Sequence, residues 1–141
     1  MLKSVVSVFT IFLPCLLSAQ ESDAPPMRTE VRWEVDTLDF GSIEEGTLVL
    51  DSFVLHNTGN APYVIRDVKT TCDCTLIKYP KAPVPPGGRA AVRFEFDSNV
   101  KNGYAHAGLI VYDNSAPNSR SILYFKALIY PRRQVKIIRN R

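Results

Sequence analysis

Two cysteines one residue apart, Cys72 and Cys74 in the run Thr70-Thr71-Cys72-Asp73-Cys74-Thr75, have the widest chemistry open to them in this 141-residue chain. In an extended strand, residues i and i+2 leave the same face about 6.5–7 Å apart, whereas a disulfide wants Cβ atoms within about 4.5 Å. A Cys72–Cys74 bridge therefore requires a local kink, and a bridge strained in that way is easily reduced. Three readings stand side by side: small hydrophobes packed at a strand end, a redox or disulfide-linking pair, or two ligands of a soft metal. Lys69 and Lys78 flank the pair and favour a thiolate, while Asp73 opposes one. A metal needs further ligands, and the two histidines, His56 and His106, are the candidates.

The elements that must position these groups follow a two-residue rhythm. Polar residues up to Thr29, with Pro25-Pro26, read as a flexible lead-in over 20–31. A first strand starts near Arg32, carries Trp33, Val35, Leu38 and Phe40, and ends at Gly41; residues 41–46 read as a turn. A second runs from Leu48 to Asn57, with Val49, Phe53 and Leu55 on one face and Ser52, Val54 and His56 on the other. Asn57-Thr58-Gly59-Asn60-Ala61-Pro62 is a dense turn signal. Tyr63 to Val68 is a third strand, in which the three-residue step from Ile65 to Val68 marks either a bulge or an outward Val68. The proline-rich run 79–88 is a surface crossing, because proline cannot donate to a central ladder. Ala90–Asp97, Tyr104–Tyr112 and Ile122–Tyr130 alternate cleanly, with Val92, Phe94 and Phe96, then Ala105, Ala107, Leu109 and Val111, then Leu123, Phe125, Ala127 and Ile129 inward.

Short alternating strands with turn signals every ten or so residues predict an all-β fold, an immunoglobulin-like antiparallel β-sandwich of about seven strands over 32–131. Alternation also points His56 and His106 outward from opposite sheets, which separates the imidazoles and argues against one shared metal site. Tyr104, Tyr112, Tyr124 and Tyr130 fall on outward positions and are candidates for a binding face, since tyrosine is enriched at interfaces. No nucleophile elbow, phosphate-cradling glycine loop or zinc-protease helix is present. No catalytic residue, metal site or cofactor is therefore assigned.

The first residues pair a basic start with an apolar run from Val5 to Leu17 and small residues at Ser18-Ala19, the pattern of a secretory signal peptide over 1–19. The run is shorter than the roughly 20 apolar residues a membrane span needs. Pro14 before Cys15 disfavours lipoprotein processing there, so Cys15 leaves with the leader. Removing Lys3 lowers the net charge from +3 to +2, too near neutral to argue for a nucleic-acid partner. The last ten residues, 132–141, are a basic, half-apolar tail.

Asp39-Phe40-Gly41, Glu45-Gly46, Phe53 with His56-Asn57-Thr58-Gly59-Asn60-Ala61-Pro62, Thr71-Cys72-Asp73-Cys74-Thr75, Pro80, Pro86-Gly87 and Val92 to Asp97 occur in the order of a known pattern. The chain resembles bacterial secreted proteins of domain-of-unknown-function family 1573, which is similar in turn to Hydin-like (ASH) and major-sperm-protein domains. The resemblance implies an immunoglobulin-type sandwich and export, and carries no established activity. One departure is Asp73, where the family has glycine. Together these readings predict an exported, non-enzymatic module in the periplasm or beyond that binds an envelope or extracellular protein through a sheet face or free edge. The alternative is a thiol-redox or metal-handling protein using Cys72 and Cys74.

Overall fold

The computed structural model describes residues 25–132. The leader expected over 1–19, Cys15 within it, and the tail beyond Arg132 lie outside the described residues.

Eight strands follow one another without a helix among the described residues: β1 Val31–Trp33, β2 Thr37–Glu44, β3 Leu48–Asn57, β4 Ile65–Thr70, β5 Thr75–Lys78, β6 Arg89–Asp97, β7 Gly103–Asp113 and β8 Arg120–Tyr130. They form two four-stranded sheets, β1-β3-β6-β5 and β2-β8-β7-β4. Period-two burial builds the core between them: Phe53, Leu55, Val92, Phe94 and Phe96 face Leu109, Val111, Leu123, Phe125, Ala127 and Ile129. Phe94 and Phe125 stack across the gap with centroids 4.9 Å apart, and Phe53 extends the stack at 5.5 Å from Phe94. Offset aromatic contacts of this kind add to the area they bury.

The expected first strand is two strands in opposite sheets. Glu34 N–H still donates to Val54 O at 2.9 Å in the β3 sheet, whereas Asp36 O accepts from Tyr124 N–H of β8 at 2.7 Å. The chain thus changes sheets within three residues, and Val35 is left exposed. From there β2 runs parallel to β8, pairing Thr37 with Tyr124 and Glu44 with Tyr130. The sandwich therefore holds eight strands and one parallel pair rather than a purely antiparallel set. Gly41 is not a turn end either. It sits inside β2 at φ 62°, where the register slips between Asp39 and Ser42, and the Asp39 carboxylate accepts its N–H at 2.9 Å. A left-handed residue at a bulge is a position glycine fills without steric cost. The turn lies later, at Glu45-Gly46, closed by Thr47 N–H to Glu44 O.

The third strand starts two residues later than its apolar run. Tyr63 makes an isolated two-way bridge with Val84 of the proline-rich crossing, and β4 begins at Ile65, with a bulge between Ile65 and Asp67 that turns Val68 toward the core. Buried Asn57 clips this corner together, donating to Ala61 O at 2.8 Å and Val84 O at 2.9 Å. Upstream of β1, the carbonyls of Arg28 and Glu30 accept from the 58–61 turn. The same end of the sandwich buries Tyr63, whose hydroxyl donates to the sealed Asp113 carboxylate at 3.2 Å. Burial pushes the Tyr63 phenol well above its ordinary range, and the neighbouring carboxylate adds to that.

Candidate functional site

The cysteine pair lies where the chain leaves one sheet for the other. β4 ends at Thr70 and β5 begins at Thr75, so residues 71–74 form a turn outside both ladders. Its ends are tied down. Thr71 N–H donates to Gly108 O at 3.0 Å, while Gly108 N–H donates back to the Thr71 hydroxyl at 2.8 Å. Thr75 N–H reaches Cys72 O at 3.2 Å, and Asp97 N–H of β6 reaches Cys74 O at 3.1 Å. This bending brings the two Cα atoms to 5.2 Å, shorter than a flat strand allows, and Cys72 and Cys74 are disulfide-bonded. Cys74 N–H points at Cys72 Sγ, 3.4 Å away. Both cysteines are half-buried against the core and Asp73 stands in solvent. Beside Cys72 opens a shallow depression of about 450 Å³, whose rim includes Val100, Lys101, Tyr104 and His106. Val100 is 86% exposed and holds φ at 52°, a left-handed conformation unusual for a β-branched residue.

The four outward tyrosines lie on the outer face of the β2-β8-β7-β4 sheet. Register pairs Tyr104 with Leu128, His106 with Lys126, Gly108 with Tyr124, Ile110 with Ile122 and Tyr112 with Arg120. Tyr104 (68%), Leu128 (51%) and Tyr130 (49%) are well exposed, with Ile122 and Tyr124 less so, which makes an apolar stripe along β7 and β8. Tyr112 is half-buried, and the Lys69 ammonium stands 5.6 Å from its ring centre. The stripe is held in order locally. His106 stacks on Tyr124 with centroids 5.0 Å apart, and Tyr124 lies over Gly108, where a β-carbon would meet ring carbons at 3.4 Å. Its one strand-centre charge pair neutralises itself, Lys126 Nζ to Asp39 Oδ2 at 3.1 Å. The Gly41 N–H and then Lys126 hold the Asp39 carboxyl below its ordinary value, and the same pairing raises Lys126.

The histidines are placed apart. His56 sits on the outer face of the other sheet, its Nε2 2.8 Å from Glu34 Oε1, the oxygen that Arg89 also contacts at 3.0 Å. The His56 hydrogen bond and the Arg89 charge hold the Glu34 carboxyl below its ordinary range against the opposing effect of desolvation. His106 instead shares the depression beside Cys72, a proximity that strand alternation does not reveal. Among the described residues, no three His, Cys, Asp or Glu side chains cluster as a metal-ligand set. A second exposed apolar group escaped the sequence reading: Leu48, Leu50 and Leu76 on the outer face of β3 and β5. Leu50 and Leu76 flank Glu95 of β6 and rim an open depression of about 440 Å³. The signal was present, since placing Val49, Phe53 and Leu55 inward forces Leu48 and Leu50 outward.

Two sheets packed through Phe94 and Phe125, with an early strand parallel to the last, define a sandwich of the immunoglobulin-like, PapD-like class. The chain belongs to the DUF1573 family of proteins of unknown function, whose family model matches residues 31–129. Among solved structures it is similar to a protein of unknown function from Porphyromonas gingivalis W83, with TM-score 0.63 and 18% identity, covering 72% of this chain and 47% of that one. It is also similar to the ASH/PapD-like domain 7 of human CEP192, with TM-score 0.61 and 12% identity, covering 92% of this chain and all of that one. A third similar structure is the Vibrio cholerae VesB protease, with TM-score 0.60, 10% identity and 70% of this chain covered against 31% of that one. The chain thus spans about half the length of the Porphyromonas protein and less of the protease. No curated protein sequence matches it.

Proposed function

We propose that this protein is an exported, non-enzymatic binding module that docks another envelope or extracellular protein on the outer face of β7 and β8. One observation carries the reading: Tyr104, Ile122, Tyr124, Leu128 and Tyr130 share one exposed face of a regular sheet, on either side of the His106–Lys126 pair. Scattered exposed apolar residues need no explanation, but several large ones gathered on one face mark an interaction surface. Tyrosine supplies large contact area at low side-chain entropy cost. The Lys126–Asp39 pair leaves the centre of the face without net charge, so its complement is a neutral, apolar-centred protein surface rather than a nucleic acid or an anionic bilayer. Export rests on the leader-like sequence of residues 1–19. Binding rather than catalysis rests on the open, shallow depressions and on the placement of the two imidazoles on opposite outer faces.

The test is affinity capture from the envelope fraction with the wild-type protein and with a Tyr104→Ser/Leu128→Ser double variant, folding being checked by thermal unfolding. A partner retained by the wild type and lost at least tenfold by the folded double variant supports the reading. Equal capture by both removes the β7–β8 face as the docking surface.

A further inference from the structure

At the edge of that docking face, with Tyr104 shared between the two, we infer that the Cys72–Cys74 bridge is a thiol–disulfide exchange site that accepts electrons from a cysteine-bearing protein segment, with Cys72 as the exchanging sulfur. Four observations converge. First, the bridge encloses only Asp73, and a cross-link constrains the unfolded chain least when the closed loop is shortest. Stapling the fold is therefore a poor account of it. The turn is already anchored by backbone bonds from Thr71 to Gly108 and from Asp97 to Cys74.

Second, the bridge is within reach of solvent. Cys72 lines the open depression, Cys74 does not, and Asp73 between them is exposed. Third, the surroundings of Cys72 suit a thiolate. Cys74 N–H points at its sulfur, and the Lys101 cation shares the depression with it. Asp73 is the opposing charge on this element, and it stands out in solvent. Fourth, the rim offers an apolar foothold for an incoming chain: Val100, exposed in a strained left-handed conformation, and Tyr104.

A thiolate of the partner segment attacks Cys72 Sγ, forming a mixed disulfide as the Cys72–Cys74 bond breaks. The electron pair departs on Cys74 Sγ, which takes a proton from water. A second thiolate of the same segment then attacks its own sulfur in the mixed disulfide and releases Cys72. The partner leaves as a disulfide, oxidised by two electrons, and the pair is left as two thiols. Each bridge makes one such transfer.

The experiment uses the oxidised, leader-free protein and reduced glutathione as the thiol probe, with an alkylating quench and peptide mass spectrometry. The expected result is glutathione on Cys72 and the alkyl label on Cys74, with the far-ultraviolet circular dichroism unchanged. A Lys101→Gln variant should keep the fold and slow the second step several-fold, the release of Cys72 from its mixed disulfide by excess glutathione, because Cys72 leaves as a thiolate there. With the protein fully reduced, the first thiol to alkylate should be Cys72, the one that lines the depression. Glutathione found on Cys74, a bridge that opens only when the sandwich unfolds, or a reduced protein without its β-sheet signal would each overturn the assignment.

Discussion

Tyr63 and Asp113 allow a quantitative test of how the end of the sandwich is held together. Both are sealed from solvent, at 0% and 1% exposure, and the phenol donates to Asp113 Oδ2 at 3.2 Å. Burial first, and the carboxylate second, raise the Tyr63 pKa in the folded state above its unfolded value of about 10. A raised folded value means that stability is fully present below about pH 10 and falls as pH climbs, because only the unfolded chain then releases the proton. By about pH 11 this one group withdraws at most about 1.4 kcal/mol. Replacing Tyr63 by Phe removes the titration and a hydrogen bond to a charged acceptor, a loss of about 1.5–3 kcal/mol at neutral pH. Asp113 keeps its bonds from the Ser115 N–H and hydroxyl at 2.8 and 2.6 Å. Urea unfolding of both proteins, followed by the fluorescence of Trp33, the single tryptophan, should show the gap between them narrowing by up to about 1.4 kcal/mol from pH 8 to about pH 11. The other five tyrosines titrate in both proteins and cancel. A gap that stays constant across that range would refute the reasoning.

Three further outcomes are expected. Phe125→Ala removes the ring stacked against Phe94 and touching Phe40 and Phe96, and chemical denaturation should report a loss of about 3–5 kcal/mol. The Asp39 carboxyl should titrate below an ordinary aspartate in side-chain NMR. Lys126→Met should bring it only part of the way back, because the Gly41 N–H is the larger cause; the stability this group contributes is present above the unfolded value and is lost as pH falls through the folded one. Gly108→Ala should seat its methyl at ordinary contact distance under the Tyr124 ring, seen as retention of the mutual ring-current shifts of His106 and Tyr124.

Where local alternation decided the structure, the sequence was a good guide. Phe53 and Leu55, Val92 to Phe96, and Leu123 to Ile129 keep one side greasy and the other wet, and a one-residue slip would expose every one of them. The failures lie where a long-range contact overrides a local pattern. Nothing in Trp33-Glu34-Val35-Asp36 marks a break, because the transfer between sheets is made by backbone bonds to Val54 and Tyr124, both remote in sequence. Gly41 resembles a turn glycine until its parallel partner β8 is in place, and only then does it become a bulge. Tyr63 has the look of a strand residue, yet its pairing goes to Val84 in a proline-rich crossing. The Cys72–Cys74 bond could not be read from strand geometry, since the bend it needs is imposed by Gly108 and Asp97 on neighbouring strands. The nearness of His106 to Cys72 has the same cause: β4 and β7 are paired neighbours, and β4 delivers the turn to the rim on which His106 stands.

The central claim, that the outer face of β7 and β8 meets a partner protein, is tested most directly by a photo-crosslinking amino acid placed at Tyr104 and, in a second protein, at Leu50 on the opposite sheet. Irradiated in the intact cell envelope, the position-104 protein should give a discrete adduct of defined mass that the position-50 protein does not. An adduct from position 50 alone, the same products from both, or none from position 104 would contradict the account.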